Sequence, residues 1–222
     1  MAKKMASDST ETKILLRRAE RGDRQAVGEL FTRHKDRLKR MVKLRLDRRL
    51  QGRVDPSDVL QEAYLSASRS LAEYLKNPTM PFFLWLRMIA GRRLHTLHKR
   101  HLGTRGRNAG REVALHHGAF PQASSASLAA QLLGRLTTPS VAAMRIELQM
   151  RVQEVLNSME PLDREVLALR HFERLTNAET AAVLDISDTA ASNRFVRALA
   201  RLRDILMTAP GFFEPDAGDK PH

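Results

Sequence analysis

"TNAETAAVLDISDTAASNRFVRALARLRDIL" runs from Thr176 to Leu206. It opens with the pattern of a capping box. The Thr176 hydroxyl can accept from the amide of Glu179, whose carboxylate can return to the amide of Thr176. A short helix to Leu184, the tight connection "DIS" and a long helix from about Asp188 to Leu206 have helix-turn-helix proportions. Ala181, Leu184, Ile186, Ala191 and Phe195 are spaced to pack the two helices together. Ser187 suits the cap of the second helix, and Asp188 suits its positive end. Thr189, Ser192, Asn193, Arg194 and Arg197 remain on the outer face. In a major groove Arg can fork onto guanine and Asn onto adenine, while the other side chains reach phosphates. A plain helical hairpin with a polar face would share this spacing. Asp185 also stands where such turns often carry Gly, at a left-handed position that Asp tolerates less well.

The surrounding chain is helical throughout. Ile146, Met150, Val152, Val155, Leu156 and Met159 give an amphipathic helix ending before Pro161, and Asp163 to His171 predict another. From Gly103 to Pro139 the chain is rich in Gly, Ser, Thr and Ala. It reads as a linker with one short helix near 127–134. Residues 11–50 have apolar spacings of three and four, broken at "RGD", with Asp23 as an N-cap. Asp55 or Ser57 caps a helix to about Leu75, "KNPTMP" is a loop, and 82–101 is the next helix.

That helix, "FFLWLRMIAGRRLHTLHKRH", changes from apolar to basic along its length. At about 100° per residue, Phe82, Trp85, Leu86, Ile89, Ala90, Leu94 and Leu97 share one side. Arg87, Arg92, His95, His98 and Lys99 take the opposite arc, a pattern of one packing face and one anion-reaching face. Arg93 and Arg100 interrupt the apolar side near the end of the core. His95, His98 and His101 recur at intervals of three, but no carboxylate or thiolate joins them and the basic surround repels a cation. No metal or other cofactor is expected.

The charge is unevenly distributed. Residues 1–111 carry 27 Lys and Arg against 11 Asp and Glu, a balance of +16. Residues 112–222 carry 11 against 14, a balance of −3. A basic module facing a polyanion, joined to a nearly neutral one, fits this asymmetry. The chain has no cysteine, which excludes disulfides and thiolate chemistry. No apolar run approaches the roughly 18 residues of a membrane span. "MAKKMASDSTETK" lacks the apolar centre of a signal peptide, so a cytoplasmic protein is expected. No P-loop, HExxH, GxSxG or kinase-like motif appears.

Taken in order, "DVLQEAYLSASRSL", "WLRMIAGRRL", a Ser/Ala-rich linker, "LDREVLALRHFERLTNAETAAVL" and "ISDTAASNRFVRALARLR" resemble the extracytoplasmic-function (ECF) group of bacterial sigma factors. The resemblance covers most of residues 10–207. "LHKRHLG" and "GRNAGREV" look like the branch common in planctomycete-type bacteria. The implied fold is all-α, with two small helical domains, a sigma region 2 bundle and a sigma region 4 helix-turn-helix, on a flexible linker. The expected boundaries are a disordered N-terminus at 1–10, region 2 at 11–103, the linker at 104–143, region 4 at 144–208 and a flexible tail at 209–222.

The resemblance implies a specificity subunit, not an enzyme. It would bind core RNA polymerase (the β′ coiled coil and the β subunit), direct it to promoter DNA and help melt the duplex at the nucleoid. An anti-sigma factor is a further implied partner, and a membrane is not. Asp58, Leu60, Gln61 and Glu62 would dock the β′ coiled coil; Asp58 and Glu62 lie at i and i+4 with Gln61 beside them. Asn77 would bond a flipped base of the −10 element, and Arg87, Arg92, Arg93, His95, Lys99 and Arg100 would hold the opened strand. Ser187, Thr189, Ser192, Asn193, Arg194 and Arg197 would face the −35 element. Many relatives carry Asn where this chain has Arg92 and Asp where it has Thr96, so promoter preference does not transfer. Two other readings share parts of the pattern. One is a helix-turn-helix regulator that needs no polymerase; the other is a nuclease built on the acidic cluster, which lacks a further convergent acid.

Overall fold

The computed structural model describes residues 8–102, 120–134 and 142–207, the side chains of 142–145, 205 and 206 apart. The start of the chain, the linker segments 104–119 and 135–141 and the tail 209–222 lie outside the described residues.

Nine helices follow one another along the described chain. The first four are α1 (Thr10–Glu20), α2 (Arg24–Arg45), α3 (Pro56–Lys76) and α4 (Phe82–Leu102). Their ends are set by local chemistry. The Asp23 carboxylate accepts from the amides of Gln25 and Ala26, and Asp55 accepts from the amide of Ser57, with Pro56 in the first helical turn. Then come α5 (Ser125–Leu133) and α6 (Ala142–Ser158). α7 (Pro161–Leu167) runs into a π-type turn, Ala168–Phe172, and α8 (Asn177–Leu184) and α9 (Asp188–Met207) complete the fold. The capping box forms in full: Thr176 Oγ1 accepts from the Glu179 amide at 3.1 Å, and Glu179 accepts from the Thr176 amide at 2.7 Å. Among the described residues no helix is long and apolar enough to cross a membrane.

The fold is all-α, in two helical units. α1 to α4 pack around an aromatic centre. Phe31 stacks on Tyr64 at 4.8 Å, Tyr74 stacks on Trp85 at 4.6 Å, and Phe82 lies 5.6 Å from both Tyr74 and Trp85. Phe82, Trp85, Leu86 and Ile89 are all buried, so the tryptophan fixes α4 in its bundle. The linker's short helix near 127–134 is α5, packed on α6.

The two units are also packed together. Val166, Leu169, Leu175 and Leu184 join the core of α1 to α4, while Leu44 of α2 joins the core of α5, α6, α7 and α9.

Two local expectations change. Asp8 and Ser9 fall within the stretch expected to be a disordered start, yet both are tied down. Ser9 caps α1, and the Asp8 carboxylate accepts from the Phe82 amide at 2.9 Å. Asp8 thereby serves the start of α4, a distant partner that local pattern cannot reveal. The helix expected at Asp163–His171 begins earlier, at Pro161, and its last turn widens to the π form.

His34 of α2 is 6% exposed, with its ring 5.7 Å from Phe82 and 5.6 Å from Phe83, and its Nε2 has no hydrogen-bond partner. Burial, reinforced by Arg37 and Arg33, lowers its pKa from 6.5 to about 4. The unfolded chain takes up a proton between pH 6.5 and about 4 that the native state refuses. Stability therefore falls as pH falls through that window, on the order of 3 kcal/mol in all. Burial also depresses the pKa of His98, which adds to the same slope. In denaturant titrations His34→Leu should flatten most of the decline between pH 6.5 and 4; an unchanged slope would contradict the assignment.

Candidate polymerase and nucleic-acid interface

The outer face of α3 is built from residues off its apolar stripe. Val59, Leu60, Ala63, Ala67, Leu71 and Tyr74 are buried, and Asp58, Gln61 and Glu62 are exposed. Leu60 is therefore a correction: at 2% exposure it packs the core and cannot touch a partner. Leu65, which sequence reasoning missed, is 60% exposed and continues the face that carries Asp58, Gln61 and Glu62. The signal was present in its spacing, three residues beyond Glu62 and four beyond Gln61, outside the buried stripe.

Asn77 is the exposed C-cap of α3. The loop after it is held by the Tyr74 hydroxyl, which donates to the Met80 carbonyl at 2.9 Å. From this loop α4 carries Arg92, His95, Lys99 and Arg100 outward, all exposed. Arg93 is half-buried and donates to Ser66 Oγ at 2.5 Å, so it braces α4 on α3. His98 accepts from the Asp47 amide at 3.2 Å and is not on the solvent face.

Arg87 is the second correction. Expected on the anion-reaching arc of α4, it is 3% exposed and donates to Glu173 at 2.7 and 3.2 Å. Beside it Arg45 of α2, 2% exposed, donates to Glu165 at 2.5 Å, to Glu173 at 2.6 Å and to the Pro121 carbonyl at 2.8 Å. The Phe120 ring faces both guanidiniums, 4.3 Å from Arg87 and 5.0 Å from Arg45. Burial alone would lower the pKa of Arg45, but Glu165 and Glu173 outweigh it and raise it. Burial alone would likewise raise that of Glu173, but Arg45 and Arg87 hold it below the usual carboxylate range. Arg45 and Glu173 are therefore both ionised. A helical wheel divides α4 into two faces, whereas the structure gives it a third, turned toward the second unit.

In the second unit the helix-turn-helix closes as its spacing predicts. Asp185 adopts the left-handed conformation, with φ of 53°, and the Ile186 amide reaches the Ala181 carbonyl at 3.0 Å. Ser187 Oγ caps α9 by accepting from the Ala190 amide at 3.1 Å. The Asn177 side chain donates to the Asp188 carbonyl at 2.7 Å and fixes α8 against α9. Ser187, Thr189, Ser192, Asn193 and Arg197 are exposed along the start of α9. Arg194 is drawn sideways, donating to Asp163 at 2.5 Å and Glu160 at 3.0 Å, which raises its pKa. Arg197 lies 3.7 Å from the same Asp163.

Residues 149–202 match the family described as Sigma-70, region 4. The ECF RNA polymerase sigma factor SigD of Mycobacterium tuberculosis is 27% identical over 188 residues, covering 85% of this chain and 80% of that protein. The probable RNA polymerase sigma factor RfaY of Xanthomonas campestris is 29% identical over 152 residues, 68% of this chain, which spans only 34% of that relative's length. A solved structure of CnrH in complex with the cytosolic domain of CnrY shares the fold. Its TM-score is 0.51 at 24% identity, over 89% of this chain and 97% of that one. These matches support a sigma factor of the ECF type.

Within the region 4 match lie the capped helix-turn-helix and both buried carboxylates, Glu165 and Glu173. Region 4 is thus joined to α2 and α4 through ions at its own centre. The seat for Phe120 is Gly91 of α4, where a Cβ would overlap the phenyl ring. Helix propensity alone makes Gly91→Ala stabilising by about 0.5–1 kcal/mol. We expect the opposite sign, a lowered Tm, with part of the loss removed when Phe120→Ala is added. Additive losses in thermal melts would show that the two residues do not share a seat.

Proposed function

We propose that this sigma factor binds core RNA polymerase through α3, faces the −35 element with α9 and holds the opened −10 strand on α4. It adds no catalytic site of its own. The observation that carries the reading is the outer face of α9. Thr189, Ser192 and Asn193 stand exposed on the first turns of a helix whose start is fixed by Ser187 and Asn177, inside the region 4 match. These are short hydrogen-bonding side chains at the end of a recognition helix that enters a groove first. Arg197 is available for phosphate or base, and Arg194 reaches DNA by exchanging its carboxylate partners.

The polymerase-facing patch in this reading is Asp58, Gln61 and Glu62 with Leu65 in the place first given to Leu60. Three polar groups around one exposed leucine suit a basic, partly apolar helical surface such as the β′ coiled coil. Arg92, His95, Lys99 and Arg100 hold phosphates of the −10 strand, Arg93 stiffens the helix that carries them, and Asn77 in the preceding loop takes a flipped base. The division of labour places region 2 at 11–103 and region 4 at 144–208, with the β subunit meeting the latter. An anti-sigma factor belongs to the proposal because CnrH was solved with the cytosolic domain of a second protein. So do a cytoplasmic, nucleoid-associated location and, on "LHKRHLG" and "GRNAGREV", the planctomycete-type branch.

Two measurements test this. Asp58→Lys with Glu62→Lys should weaken retention of core polymerase by at least about tenfold. Retention at the unsubstituted level would remove α3 from the interface. If the unsubstituted chain does not co-purify with core polymerase yet binds duplex DNA, a polymerase-independent regulator replaces the proposal. Arg92→Ala with Lys99→Ala should reduce the salt slope of binding to an opened −10 strand by about 1.4, near 0.7 per lost single-strand phosphate contact. An unchanged slope would take those side chains off the DNA.

A further inference from the structure

The basic end of α4 has a basic neighbour that the function above leaves without a role. The chain between α2 and α3 carries Arg48, Arg49 and Arg53, all exposed. This segment is firmly built. Leu46 and Leu50, each 3% exposed, anchor it in the bundle. The Asp47 carboxylate accepts from the Arg49 amide at 2.9 Å and starts a 3-10 turn, Arg48–Leu50. Gly52 takes the left-handed conformation, with φ of 86°, and Gln51 pairs with Val54 across the turn. The Gln51 side chain donates to the Leu46 carbonyl at 3.3 Å. A backbone closed on itself in this way has little freedom left to lose when its arginines meet a ligand.

The segment is also seated on α4. The Asp47 amide donates to His98 Nε2 at 3.2 Å. Burial holds the His98 pKa below its usual value, so at pH 7 the imidazole is neutral and able to accept. His95 and Arg49 both lie close enough to act on His98 through their charges. The segment therefore adjoins the side of α4 that carries Arg92, His95 and Lys99, and widens the same basic surface.

Not all of its charge is committed. Arg49 is paired with Asp47 at 2.9 Å, and the Asp55 carboxylate is occupied in capping α3. Among the described residues Arg48 and Arg53 form no ion pair. Exposed, unpaired guanidiniums on a fixed backbone suit a row of phosphates.

Position along α4 selects which phosphates. On the function proposed above, Asn77, in the loop before α4, takes the flipped base. His98 stands 16 residues after Phe82, about 24 Å along the helix at 1.5 Å per residue. That length matches about seven nucleotides at 3.4 Å each, enough to cover an opened −10 strand. The chain leaves α4 at this same end, on its way to the unit that faces −35. The segment thus lies upstream of the opened strand, where the DNA is double-stranded again.

We propose that Arg48 and Arg53, on the segment that Asp47 and His98 fix to α4, bind the phosphate backbone of the duplex just upstream of the opened −10 strand. The contact rests on the function proposed above and lies outside both promoter elements. It is blind to sequence. Strand contacts on α4 and duplex contacts beside it together fix the place where the two strands part.

Two probes test this with the full chain assembled on core polymerase. Both carry the opened −10 strand of a promoter whose start has been mapped with this chain. One continues upstream as one helical turn of duplex. In the parent this arm should steepen the salt dependence of binding. Arg48→Gln with Arg53→Gln should lower the slope on the armed probe by about 1.8, near 0.9 per lost duplex phosphate, and leave the strand-only slope unchanged. An arm that adds nothing in the parent overturns the proposal, as does an armed slope that the variant retains. An equal loss on both probes also overturns it, because the segment then touches the opened strand. If the parent assembly binds neither probe, the proposed function fails. Binding of the free chain to plain duplex then decides the segment: the same loss of slope in the double variant supports it, and an unchanged slope overturns it.

Discussion

Four buried charges from widely separated parts of the chain set the relation between its two helical units. Arg45 ends α2, Arg87 sits in the second turn of α4, and Glu165 and Glu173 flank the π-type turn. Each guanidinium would be destabilising alone at that depth, as would each carboxylate. Together they are neutral, hydrogen-bonded and covered by Phe120. The requirement that all four be satisfied at once explains the glycine in a helix, the widened turn and the proline carbonyl.

The same constraint decides which surfaces remain for partners. One side of α4 packs its own bundle through Phe82, Leu86, Ala90 and Leu94. A second side gives Arg87 and Gly91 to the other unit. What is left is the basic far end with Arg92, His95, Lys99 and Arg100, the acidic face of α3 and the first turns of α9. These three surfaces differ in charge and belong to different helices, as expected of a protein that meets both a protein and a nucleic acid.

Much of this was legible because it is local. The Thr176–Glu179 box, the caps at Asp23, Asp55 and Ser187, the buried face around Trp85 and the helix-turn-helix all depend on residues a few positions apart. What was not legible depends on distant partners. Arg87 looks solvent-bound on a wheel because its partner is 86 residues away. Asp8 looks like a loose end until Phe82 is placed beside it. Leu60 is a different case. Its spacing with Val59, Ala63 and Ala67 already put it in the core, and family resemblance drew it to the surface instead. Periodicity was the better guide there, and it also brings Leu65 forward.

The role assigned to this chain is to tell core polymerase where to start. Its most direct test is to map RNA 5′ ends made in vitro from genomic DNA by purified core polymerase, with and without the chain. New ends should appear only with it, each preceded by the same two sequence blocks at a fixed spacing, near −10 and −35. Identical ends in both reactions, or new ends without shared upstream blocks, would contradict the account.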